Sequence, residues 1–173
     1  RWGCPAHPLA LSCDFANAPP LADDLAKRFP QHTVVQFDYL PMVRAALALK
    51  SGDATSAVQA LAVSTPYELG HTNDDFTFAF YPVYLSGEAY LAARQGAPAI
   101  TEFQKILDHS GVVGNEPIGA LAHVGLGRAY ALSADSAKAT TAYQAFFAPS
   151  NNSDPYISPC TPTKAEFAQL PRS

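Results

Sequence analysis

Apolar residues along this chain recur three and four positions apart in stretches that short Gly- or Asp-containing breaks divide in two. The breaks read Lys50-Ser-Gly52-Asp53, Arg94-Gln95-Gly96 and Leu132-Ser-Ala-Asp135. Amphipathic stretches flanking so short a break predict helix–turn–helix. Asp53 and Asp135 suit N-caps, because a carboxylate there accepts from the free N–H groups of the following first turn. Gly52 and Gly96 suit the end of the preceding helix, where the chain turns out of helical geometry.

The stretches also repeat. Writing Tyr84-Leu-Ser-Gly87-Glu-Ala89-Tyr90 over Val124-Gly-Leu-Gly127-Arg-Ala129-Tyr130 aligns Gly, Ala and Tyr at a shift of 40. The match continues past the turn with Ala97 over Ala137, Ala99 over Ala139, Phe103 over Tyr143 and Gln104 over Gln144. An earlier copy fits at a shift of 42, with Ala45 for Gly87, Ala48 for Tyr90, Ala57 for Ala99 and Leu61 for Phe103. A fainter copy precedes it, in which Asp14 stands four residues before Ala18 as Asp53 stands before Ala57, and Pro30 closes the unit.

The residue sizes fit such pairs: Gly87, Gly127, Ala99 and Ala139 let two helices approach, while Tyr90, Tyr130, Phe103 and Tyr143 fill the space beside them. A single pair cannot bury its apolar face, so neighbouring pairs must supply the rest of the core. The expectation is an all-α fold of stacked helix-turn-helix repeats, about 3.5–4 units at roughly 1–31, 34–66, 76–110 and 116–148. The segment 149–173 carries Pro149, Pro155, Pro159 and Pro162 and predicts an irregular tail ending in a short capping helix near 164–170.

A small residue then Tyr on the first helix, and Ala followed four residues later by an aromatic or Leu on the second, resemble the tetratricopeptide repeat. The chain departs from that pattern where Val83 and His123 stand for the usual Trp, and in linkers lengthened at 65–75 and 108–116. The strings Leu21-Ala-Asp-Asp-Leu-Ala-Lys-Arg-Phe-Pro30, Gly87-Glu-Ala-Tyr-Leu-Ala92, Glu102-Phe-Gln-Lys-Ile-Leu-Asp-His109 and Asn115-Glu-Pro-Ile-Gly-Ala-Leu-Ala-His123 resemble the C-terminal repeat segment of acidobacterial serine/threonine protein kinases. None of the kinase signatures occurs in these residues. The resemblance therefore implies a sensing or docking tail, set inside or outside the cytoplasmic membrane by whatever precedes it. Arg1 in place of an initiator Met points to a fragment or a processed chain.

Composition narrows the function classes. At 48% hydrophobic and 15% charged the chain has material for a core. A net charge of −4 without any run of Lys or Arg argues against nucleic acid or an anionic membrane as partner. No apolar run is long enough to span a bilayer. Cys4, Cys13 and Cys160 form no CxxC, and helical spacing would hold Cys4 and Cys13 apart.

Catalytic and metal chemistry find no pattern. His7, His32 and His109 fall near a helix start, a loop and a helix end, and His123 lies on a first helix where packing accounts for it. His71-Thr-Asn-Asp74-Asp75 gathers donors without the spacing of a calcium or zinc site, and reads better as a cap for a helix beginning near Phe76. Gly111 and Gly114 precede no GKS or GKT, and no Ser sits in a Gly-x-Ser-x-Gly elbow. No enzyme activity, metal or cofactor is expected.

What remains is a binding surface. In stacked helix pairs the first helices line a concave face, and their outward stripes are Tyr39, Met42 and Ala46; Tyr81, Tyr84 and Glu88; and Leu121, Val124 and Arg128. Aromatics, Met and Arg are favoured at interfaces, so Tyr39, Met42, Tyr81, Tyr84, Glu88, Val124 and Arg128 are candidates to hold a peptide or partner protein. The alternatives are that Tyr81 and Tyr84 pack under the 65–75 linker, and that Glu88 and Arg128 pair across neighbouring units. Open array ends would also allow copies of the chain to stack on one another.

Overall fold

Three turns set the architecture. Gly52, Arg94 and Ala134 have φ of 82°, 57° and 60°, the left-handed conformation that ends a helix and reverses the chain. Their separations of 42 and 40 residues equal the shifts that align the sequence copies. The structure, a computed structural model, describes residues 18–70, 80–114, 116–148 and 160–170. The predictions made for Asp14, His7, His71, Cys4, Cys13, the 71–75 part of the linker, the helix start near Phe76 and the tail before 160 lie outside the described residues.

Among the described residues every regular element is helical: α1 Ala18–Arg28, α2 Leu40–Ser51, α3 Ala54–Leu61, α4 Tyr81–Ala92, α5 Gly96–Asp108, the short α6 Ser110–Val113, α7 Pro117–Leu132, α8 Ser136–Phe147 and α9 Cys160–Ala168. Pro82 and Pro117 stand in the first turns of α4 and α7, where the missing N–H has no partner to lose. Asp53 accepts from the Ser56 N–H at 3.0 Å, and Asp135 from the Lys138 N–H at 3.1 Å, so both caps form as their spacing predicts.

The expectation for Gly96 needs correcting. The left-handed residue of that turn is Arg94, and Gly96 instead opens α5. A side chain at Gly96 would run into the Ser133 hydroxyl of the next unit, so its smallness serves contact between units. Ala134 occupies the left-handed position with a side chain that disfavours it. Ala134→Gly is expected to raise unfolding stability by about 1 kcal/mol, read as a higher urea midpoint with an unchanged slope.

One irregularity precedes α2. Residues Val35–Tyr39 form a wide π turn, with the Leu40 N–H bonded back to the Val35 carbonyl. Pro41 explains it: proline has no N–H for the Phe37 carbonyl and its ring crowds that group, so the helix widens by one residue upstream. After α3 the chain tightens into a 3-10 turn, Ala62–Tyr67, on which Phe37 stacks through Tyr67 at 4.6 Å between ring centres.

Helices that follow one another pack together: α2 on α3, α3 on α4, α4 on α5, α5 on α7 and α7 on α8. The first helices of successive units also touch, α2 with α4 and α4 with α7. One continuous core runs from Met42 to Ala142, while Ala22, Val35 and Leu40 form a small separate cluster that attaches α1. At the centre of the main core is Phe103, fully buried, its ring held between two glycines. A methyl at Gly87 on α4 would lie 2.6 Å from that ring, and one at Gly125 on α7 closer still. Gly127 stands in the same relation to Tyr143, at 2.7 Å.

Candidate partner-binding site

The repeat shift carries one position from α4 to α7 and on to α9. Glu88 and Arg128 are 40 residues apart, and Glu166 follows Arg128 by 38. The side chains meet in that order. Arg128 donates from Nε and Nη2 to the two carboxylate oxygens of Glu166 at 2.8 and 2.9 Å, a fork-to-fork pair. On its other side Nη1 lies 3.9 Å from Glu88 Oε1. The Tyr143 hydroxyl of α8 donates to Glu166 Oε2 at 3.3 Å. Next to Glu166, the Phe167 ring packs against Tyr143 and Phe147, each at 5.8 Å between centres.

Burial divides the three charged groups. Glu88 is almost wholly buried, and its Oε1 accepts no hydrogen bond from the described residues. Loss of solvent pushes the Glu88 carboxyl above its ordinary range, and the Arg128 guanidinium and Tyr84 hydroxyl pull part of the way back. Arg128 and Glu166 are about a third open to water, at 33% and 38%. Burial likewise moves the Tyr143 phenol up to about 12, with Glu166 adding to the effect.

The other predicted contacts are not open. Met42, Tyr81, Tyr84 and Val124 are buried, and Tyr39 is half-buried between the two clusters. This corrects the expectation of an outward stripe. The first helix α4 is packed by α2, α3, α5 and α7 together, so the stripe three and four residues apart faces neighbouring helices as much as solvent. Tyr81 donates its hydroxyl to Glu116 Oε2 at 3.0 Å, which ties the start of α4 to the start of α7. Tyr84 meets the Phe103 ring edge-on at 5.7 Å. Of the candidates, Glu88, Arg128 and, through its hydroxyl on Glu88, Tyr84 join a polar cluster that includes the last helix.

Sequence reasoning did not find Glu166, Phe167 or the part Tyr143 plays. A signal existed in the shift of 38, which sets Glu166 under Arg128 and Thr163 under Gly125, and Thr163 is buried. That register is one of sequence: α9 meets the described helices through Glu166 and Phe167 and does not pack along α7 as α7 packs along α4. The short helix predicted at 164–170 is found at Cys160–Ala168, and it is attached by charge as well as by ring contact.

Three further ionisable groups sit in structural contacts. His109 ends α5 with Nδ1 2.8 Å from the Lys105 carbonyl and its ring stacked on Phe80, and half-buried His123 is held below its ordinary pKa by burial. Lys105 joins Glu68 at 2.9 Å and Glu102 at 2.8 Å. Among the described residues no three His, Cys, Asp or Glu side chains gather as a metal site, and no helix is long and apolar enough to cross a membrane.

Asp38, in the π turn, is half-buried and its Oδ1 has no hydrogen-bond partner among the described residues. Burial lifts its carboxyl from 3.8 to about 7. The folded chain therefore holds a proton that the unfolded chain releases, and stability falls as pH rises from about 4 to about 7. Asp38→Asn is expected to flatten that fall by about 2 kcal/mol, a figure reduced for partial exposure, in melts taken across this range.

The described residues define an all-helical arrangement whose helices pack against their chain neighbours. No family model matches the chain, and no curated protein or solved structure matches it either.

Proposed function

We propose that the chain is a scaffold of stacked helix-turn-helix units, of tetratricopeptide type, that holds a helix or peptide of another protein and catalyses no reaction itself. The nearly equal spacing of the three left-handed turns, 42 and 40 residues, and the succession of touching first helices support the stacked arrangement. One observation carries the binding reading: the array already grips a chain segment through side chains, since Arg128, Tyr143 and Phe147 hold Glu166 and Phe167 of α9. Such a contact needs only a short helix, a carboxylate and a ring, which another chain can offer.

The test is selection of helical peptides from a displayed library on the full chain. Enrichment of defined sequences with Kd of about 1–100 μM is expected. A library that yields no enriched sequence would remove the reading.

A further inference from the structure

We propose that α9 is a displaceable, built-in occupant of the cleft between α7 and α8, and that a longer partner helix bearing an adjacent Glu–Phe pair takes its place. The proposal rests on the scaffold reading and names the chemistry of its ligand.

The cleft makes two demands. Arg128 on α7 presents a fork that two carboxylate oxygens fill at 2.8 and 2.9 Å, and Tyr143 and Phe147 on α8 present rings that a third ring packs against. Successive helix residues point about 100° apart, so a single helix lying over the cleft serves both walls with neighbouring side chains. Glu166 and Phe167 do this in α9.

The occupant is weakly built. With nine residues α9 is shorter than the roughly 12–15 at which an isolated helix becomes even marginal in water, so its order derives from docking. Its ion pair is about a third open to water at both partners, which limits what the pair contributes. When α9 leaves, Arg128 keeps Glu88 only at 3.9 Å, outside hydrogen-bonding distance, and the fork is left free for another carboxylate.

A second copy of this chain is a poor competitor. It offers the same nine-residue helix, while the tethered one acts at an effective concentration of about millimolar. Only a helix that adds contacts wins. Leu121, two turns before Arg128 on α7, is only half-buried and Ala120 beside it is exposed, so a longer helix has more of α7 to lie along.

The test uses the full chain and a fluorescein-labelled peptide of residues 160–170, read by anisotropy. The unaltered chain is expected to bind it no more tightly than about millimolar, because the site is filled. The full chain with Glu166→Ala and Phe167→Ala is expected to bind at least about tenfold more tightly, and adding Arg128→Ala abolishes the gain. A freed chain that binds no better than the unaltered one overturns the proposal. Should the freed chain fail to fold, hydrogen exchange in the unaltered chain decides: amides of α9 exchanging about a hundredfold faster than those of α5 support it, and equal rates overturn it. A micromolar dimer that dissociates on Glu166→Ala would replace the foreign helix with a second copy and overturn the proposal as stated. Library peptides whose binding ignores Arg128→Ala would overturn it and leave the scaffold reading in place.

Discussion

Phe103→Ala lowers the unfolding free energy by about 4 kcal/mol, seen as a large drop in urea midpoint. The ring is fully buried and touches two helices of different units, α4 through Gly87 and α7 through Gly125, while Tyr84 meets it edge-on. Its removal opens a void bounded by α4 and α5 of its own pair and by α7 of the next. The surrounding helices cannot close that void without sliding past one another, which keeps the cost near the upper part of the range for such truncations. Gly125→Ala is expected to cost about 1–3 kcal/mol on its own, because the added methyl meets the ring. In the Phe103→Ala background the same methyl enters empty space, so the double variant is less destabilised than the sum by at least about 1 kcal/mol. Strict additivity in this cycle would show that the ring does not lie between the two glycines.

Arg128→Ala has the second large effect, about 3 kcal/mol, below the full cost of breaking a wholly buried pair because two of the three groups are partly exposed. Two losses combine: Glu166 loses its fork, and Glu88 loses the cation that eases its burial. The second loss has a pH signature. Because burial raises the folded-state pKa of Glu88, the folded form retains a proton that the unfolded form gives up, so stability declines as pH rises above the ordinary 4.5. Without Arg128 that decline extends to higher pH, and the deficit of the variant is larger at pH 8 than at pH 5. Adding Glu88→Gln removes the ionisation and returns the pH-dependent part of the loss. Thermal or urea unfolding of the unaltered chain and the two variants at the two pH values measures this, and a deficit independent of pH would mean that Glu88 is not charged against Arg128.

Parts of this were legible beforehand for identifiable reasons. Caps and turns are local, so Asp53, Asp135 and Gly52 could be placed from spacing alone. The pairing of small with large residues reported that Phe103 and Tyr143 sit against glycines, and Glu88 and Arg128 stood at equivalent positions in adjacent units. The site was less legible. An outward stripe is inferred from one helix in isolation, and burial of Met42, Tyr81, Tyr84 and Val124 depends on how many neighbours each helix acquires. Gly96 misled for a related reason: a glycine beside a turn resembles a helix end, and its partner Ser133 is 37 residues away.

Periodicity and side-chain size along the chain determined that the described elements are helices, where their turns fall and which residues recur, because those depend on interactions within a few residues. Tertiary structure alone decided that the Phe103 ring lies between Gly87 of α4 and Gly125 of α7, and that the Glu166 carboxylate of α9 sits on the Arg128 fork. Those contacts join residues tens of positions apart. Their existence depends on the relative placement of whole helices, which no local pattern encodes.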